Sequence, residues 1–185
     1  MMLAIDYTPS EKLVASFRYQ RKLTDERGDQ VGLPVDRQLQ QRARLEMEYR
    51  LSTRVQMRCR VERVFLDWKN TSVKEKGFLM YHDVSVRSSR RLRWNTRLVF
   101  FQTDSFDSRM YEYERDLDGV VSVPSLSGTG IRWYGVLRYQ IGGHVEISAK
   151  YSDIIRDDVK HLGSGLDELP ANHDNRINVQ LDVTL

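Results

Sequence analysis

Apolar and charged residues alternate along this chain with a period of two, over stretches of about ten residues. That is the mark of strands whose two faces meet different surroundings. Residues 42–51 place Ala43, Leu45, Met47, Tyr49 and Leu51 on one face and Arg42, Arg44, Glu46, Glu48 and Arg50 on the other. After Ser52-Thr53 the order restarts, with Val55, Met57, Cys59 and Val61 opposite Arg54, Gln56, Arg58, Arg60 and Glu62. On a helix the same order would scatter both classes around the whole cylinder. Leu92, Trp94, Thr96, Leu98 and Phe100 repeat the pattern against Arg91, Arg93, Asn95 and Arg97, and so do residues 131–141, 145–151 and 177–185. Weaker strands are expected near 2–8, 12–20 and 77–87. Helical periodicity is nearly absent, so the predicted fold class is all-β.

The connections alternate in length. Short turns fall at Pro9-Ser10-Glu11, Ser52-Thr53, Ser88-Ser89-Arg90 and Gly142-Gly143, and longer polar loops at 21–37, 67–76, 103–129 and 154–174. Short turns on one rim and long loops on the other is how outer-membrane barrels are built. The strands exceed the usual five or six residues and are long enough to cross hydrocarbon at a tilt. Aromatics near strand ends (Tyr7, Tyr19, Tyr49, Trp68, Tyr81, Tyr139, Tyr151) suit an interfacial girdle. The expectation is one domain, residues 1–185, forming an antiparallel up-and-down β-barrel wall of about nine to ten long strands, membrane type, with an incomplete barrel allowed for. Counting back through the turns gives roughly nine crossings, and bacterial barrels carry even numbers, so a further strand is expected upstream of Met1. The lack of a visible secretory signal agrees with that expectation. A soluble lipocalin-like ligand-binding barrel shares the alternation but buries its apolar face, and stands as the alternative.

Composition sharpens this picture. Charged residues make up 30% of the chain and mean hydropathy is −0.56, yet aromatics reach 10%, which speaks against disorder. Charge this dense must be wet or paired. The net charge of +3 gives little support to nucleic-acid binding, and Glu46, Glu48, Glu62 and Glu146 interrupt any phosphate track along the Arg rows. Cys59 is the single cysteine, so no internal disulfide forms, and it reads as a small apolar wall residue. His82, His144, His161 and His173 lack metal-ligand spacing, and the acidic loop lacks that of an EF-hand. No GxSxG occurs, and Gly163-Ser164-Gly165 reads as a flexible turn. No enzyme activity, cofactor or metal is expected.

The stretch 103–130, TDSFDSRMYEYERDLDGVVSVPSLSGTG, is followed by IRWYGVLRYQI and later by GSGLDEL and INVQLDV. It resembles the C-terminal outer-membrane barrel region of large Bacteroidetes- and Chlorobi-type envelope proteins, the helix-hairpin-helix or ComEA-related proteins. The opening MLAIDYTPSEKLVASFRYQRK is similar to their repeat of a strand, a Pro-containing turn and an Arg/Tyr strand, and YHDVSVR at 81–87 fits as well. The resemblance implies a barrel in the outer membrane of a Gram-negative type bacterium, with lipid around it and no catalytic residues. The helix-hairpin-helix part is missing here, so no nucleic-acid role comes with it, and the chain ends on Leu185 rather than an aromatic.

The function expected from this reading is a pore or envelope scaffold, with small polar solutes as candidate cargo. Its lumen would be lined by Arg44, Arg58, Arg93, Arg97, Arg132 and Arg138. Loops as long as 103–129 are uncommon and usually functional. Folded inward, with room for a hairpin of its own, this one would bring Glu112, Glu114, Asp116 and Asp118 to those arginines, with Tyr111 and Tyr113 adding rigid contact area. The lumen would then be constricted.

Overall fold

The computed structural model describes residues 1–26, 36–69, 72–162 and 169–184, in which all regular structure is β. The chain runs β1 (Met2–Ser10), β2 (Leu13–Glu26), β3 (Asp36–Arg50), β4 (Val55–Trp68), β5 (Lys74–Arg87) and β6 (Leu92–Thr103). Two short strands follow, β7 (Met110–Tyr111) and β8 (Ser125–Leu126), and then β9 (Thr129–Ile141), β10 (Val145–Arg156) and β11 (His173–Val183). The nine long strands form one sheet in the order β1-β2-β3-β4-β5-β6-β9-β10-β11, with every neighbouring pair antiparallel. Strands extend further than the alternation alone marked, to 15 residues in β3, because their polar flanks keep pairing with the neighbouring strand.

Three of the short turns lie where the sequence put them, whereas Pro9 and Ser10 belong to β1 and the first turn falls at Glu11-Lys12. Ser52 Oγ accepts from the amides of Arg54 and Val55 at 3.2 and 3.1 Å. Ser89 Oγ does the same for Arg91 and Leu92 at 3.2 and 3.0 Å. A serine that offers its hydroxyl to the next amides is a local turn former. The residues 27–35, 70–71 and 163–168, which include Gly163-Ser164-Gly165, lie outside the described residues.

No closed barrel is found, and the sheet stands as an open wall of nine strands among the described residues. β1 and β11 each pair on one side only, and no ladder joins them among the described residues. The reason is topological. In an antiparallel meander of nine strands the first and last run the same way, so antiparallel pairing cannot join them.

Even-numbered residues of β3 and β4 share a face with odd-numbered residues of β5 and β6 and even-numbered ones of β9 and β10. Arg44, Glu62, Arg97 and Lys150 lie on this charged face. The opposite face carries three or more apolar residues per long strand at alternate positions, among them Val55–Val61 on β4 and Ile177–Val183 on β11. Toward the long-loop end the charged face turns apolar: Val64, Leu66, Leu79, Tyr81, Val99 and Phe101 pack with Met110 and Leu126 of the β7–β8 hairpin. Tyr81 is therefore not an interfacial residue as expected, because it is buried on the charged face of β5.

Candidate functional site

The site is the charged face of the central strands together with the loop laid on it. Register sets the first layer. Arg44, Glu46 and Glu48 of β3 stand directly opposite Glu62, Arg60 and Arg58 of β4. Opposite charges facing each other across neighbouring strands stabilise the pairing. Arg44 Nε reaches Glu62 at 2.6 Å, Arg60 Nε reaches Glu46 at 2.7 Å, and Arg58 reaches Glu48 at 2.8 Å. On the next strands Asp83 stands opposite Arg97, and the two meet through two guanidinium N–H groups at 2.7 and 3.0 Å. Arg97 also lies over the Tyr81 ring at 4.1 Å from its centroid, a distance at which the ring face attracts a cation.

The second layer is the loop between β6 and β9. Thr103 anchors its base: its amide donates to Gly128 O and its hydroxyl accepts from Gly128 N, each at 2.8 Å. Gly128 has φ 83°, a conformation that favours glycine. Gly77 lets the loop come close, since a Cβ there would lie 2.6 Å from Ser108 O. Above this base the segment 110–114 runs antiparallel to 122–126 through the β7–β8 pairing and the Glu114–Ser122 bridge.

Within that segment the residues alternate again. Met110, Glu112, Glu114 and Asp116 point to the sheet and are buried, whereas Tyr111 and Tyr113 face away and are exposed. Glu112 joins Arg60 and also meets Arg97 at 2.8 Å. Glu114 accepts from Arg132 at 3.0 Å and from Lys150 at 3.1 Å. Asp116 accepts from Lys150 at 2.6 Å. Asp118, largely exposed, meets Arg138 at 2.7 Å. Leu117 packs on Tyr134 and Val136 and pins the tip. Burial pushes the Glu112 carboxyl above its ordinary value, although Arg60 and Arg97 pull the other way.

The expected loop carboxylates thus meet Arg97, Arg132 and Arg138, but not every candidate joins them. Arg93 pairs with Glu146 of β10 instead, since its strand position lies below the loop tip. Arg44 and Arg58 are held by β3–β4 partners. Tyr111 is exposed, with Arg109 against its ring and its hydroxyl accepting from Arg109 at 2.7 Å. Arg60, Asp83, Tyr134 and Lys150 were not singled out from sequence. The missed signal was the alternation Met-Tyr-Glu-Tyr-Glu-Arg-Asp at 110–116, which marks an extended, one-sided segment rather than a merely acidic loop.

Toward the short turns, beyond the loop tip, the charged face opens into a cavity of about 930 Å³. Its walls include the ends of β3 to β6, Val136 and Arg138 of β9, and Tyr113, Arg115 and Asp116 of the loop. Comparison with protein families, curated proteins and solved structures finds no match to the chain.

Proposed function

We propose that this chain forms outer-membrane β-barrel wall and serves as a pore or envelope scaffold. In that role its apolar face meets lipid and its charged face the interior, narrowed by the docked loop 104–128. The observation that carries the reading is the inversion of burial across the sheet. Leu45, Met47, Val61, Leu98, Leu137, Ile147 and Val179 are exposed, while Glu62, Asp83, Arg97, Glu112, Glu114 and Lys150 on the other face are buried. An apolar surface spread over nine strands far exceeds the few hundred Å² that soluble monomers leave open. The band also has the dimensions of a lipid-facing belt. On β9 the apolar positions run from Ile131 to Ile141, roughly 33 Å along the strand at about 3.3 Å per residue, which a tilt of about 40–45° reduces to roughly 23–25 Å, against a belt of about 25 Å in outer-membrane barrels. Its border on the long-loop side is polar, with Gln41, Arg63, Asp67, Lys76, Gln102 and Asp153 on the same face. Tyr7, Tyr49 and Tyr139 lie on the apolar face near the short turns, where headgroups would be met.

The test dilutes urea-unfolded chain into buffer and into phospholipid vesicles. Folding with bound β signal only in the presence of vesicles supports the wall reading, and a folded, monodisperse chain in plain buffer overturns it. In planar bilayers, deleting residues 110–120 is expected to raise conductance if the loop narrows a pore. Unchanged conductance would leave the scaffold role alone.

A further inference from the structure

At the short-turn end of the charged face, arginine stands opposite arginine on successive strands. Arg87 of β5 stands directly opposite Arg93 of β6, and Arg93 directly opposite Arg138 of β9. Arg54, in the turn before β4, adjoins them through the backbone bond from Arg87 N to Arg54 O. Four neighbouring chain segments thus present arginine at one height. Like charges directly opposite each other on neighbouring strands destabilise the pairing. Elsewhere on this face Arg44, Arg58, Arg60 and Arg97 each have a carboxylate on a neighbouring strand, so that even Arg44, which stands opposite Arg18 on one side, is balanced by Glu62 on the other. The row lines the cavity of about 930 Å³ beneath the loop tip, into which the loop adds Arg115. Two members have partners at the rim: Arg93 with Glu146, and Arg138 with Asp118. Lys12, Arg50, Arg54, Arg87 and Arg115 have no side-chain partner among the described residues. Glu11 and Asp116 are the only carboxylates in the lining, and Asp116 is held by Lys150.

We propose that this cavity is a binding site for a small phosphate-bearing polyanion, held chiefly by Arg87 and Arg115. A guanidinium presents a planar fork of donors that matches two phosphate oxygens at once, and arginines converging from different segments reward a ligand with several charges. Such a ligand also relieves the repulsion at Arg54 and Arg87, which no ion pair among the described residues offsets. The inference deepens the pore reading by naming the charge of the solute at this mouth, and rests on that reading only for its route of access. Binding itself needs the docked loop and the sheet, not a bilayer.

The test titrates sodium tripolyphosphate into the intact chain in zwitterionic detergent micelles and follows it by calorimetry. Saturable binding of one ligand per chain is expected. R87Q with R115Q should weaken it at least tenfold, while R18Q, on the same face but outside the cavity, should leave it unchanged. Arg87 is exposed, so R87Q alone keeps the test valid if the double variant loosens the loop. Competition by phosphatidylglycerol in mixed micelles would assign the site to a lipid headgroup, and its failure to compete would assign it to a free solute; both support the site. Absence of saturable heat, or an equal loss in R18Q, overturns it. That failure leaves the vesicle-folding result untouched, so the two readings fall separately.

Discussion

Arg97 and Leu98 are neighbours in one strand, and their surroundings are the reverse of what a water-soluble sheet gives them. The arginine is 2% exposed and the leucine 55%. Arg97 is enclosed by Asp83, Glu112, the Tyr113 carbonyl and the Tyr81 ring, whereas Leu98 looks outward from a face that no described residue covers. The same inversion holds for Glu62 against Val61 on β4 and for Lys150 against Ile147 on β10. One face is buried because the chain brings its own counter-charges to it on a folded-over loop. The other can be exposed without penalty only where the surroundings are themselves apolar. The two faces therefore make different demands, which single substitutions separate.

The largest effect is expected from R97L. It strands Asp83 as a buried carboxylate without its arginine and leaves Glu112 only Arg60, and breaking a buried ion pair from one side costs about 3–5 kcal/mol. Denaturant unfolding and loss of the near-UV signal of Tyr81 and Tyr134 would report it. Tolerance of R97L would mean that the charged face is wetter than its burial indicates. Next is L98R on the other face. In a bilayer it should cost about 2–4 kcal/mol if Leu98 sits near the midplane, read as lost folding yield in vesicles. If water covers this face, the same change to a residue already exposed should cost almost nothing.

Leu117→Ala follows, at about 2 kcal/mol, the low end for a leucine truncation, because the cluster beneath it contains only Tyr134 and Val136. It should free the loop tip and leave the sheet intact, so protease cleavage after Arg115 should quicken while strand signals persist. Smallest is the response to acid. The Glu112 carboxyl is held above its ordinary value of 4.5 by burial, which outweighs Arg60 and Arg97. The docked loop thus binds this proton more readily than the free loop does. The contribution of Glu112 to docking therefore grows as the pH falls through the raised value and levels off below the ordinary one. Cleavage at Arg115 should accordingly not quicken on acidification to about pH 5. Release of the loop on that step would mean that attraction to Arg60 and Arg97 dominates at Glu112.

Strict alternation made the strands and both faces legible, because a period of two leaves no freedom in which side a residue takes. It failed where both faces are apolar. The run Leu98-Val99-Phe100-Phe101 reads as one apolar patch, yet Val99 and Phe101 turn to the β7–β8 hairpin while Leu98 and Phe100 turn outward. No local signal says that a hairpin far along the chain covers one side. Tyr81 was misplaced for the same reason, since its ring is buried by Arg60 and Arg97 from other strands. The pairing of loop carboxylates with Arg97, Arg132 and Arg138 was readable from charge complementarity. Which carboxylate takes which cation was not, because that depends on where the loop crosses the strands. Closure was also beyond the pattern: alternation describes each strand and is silent on whether the first meets the last.

The central claim is that the apolar face meets lipid, and Cys59 tests it directly. It is the chain's single cysteine, exposed on that face in the middle of β4. A nitroxide attached there, with the chain folded in phospholipid vesicles, can be probed for collisions with molecular oxygen and with a water-soluble nickel chelate. The account predicts that oxygen broadens the signal strongly and the chelate hardly at all, as at a site in hydrocarbon. Dominant broadening by the nickel chelate would place this face in water and contradict the account.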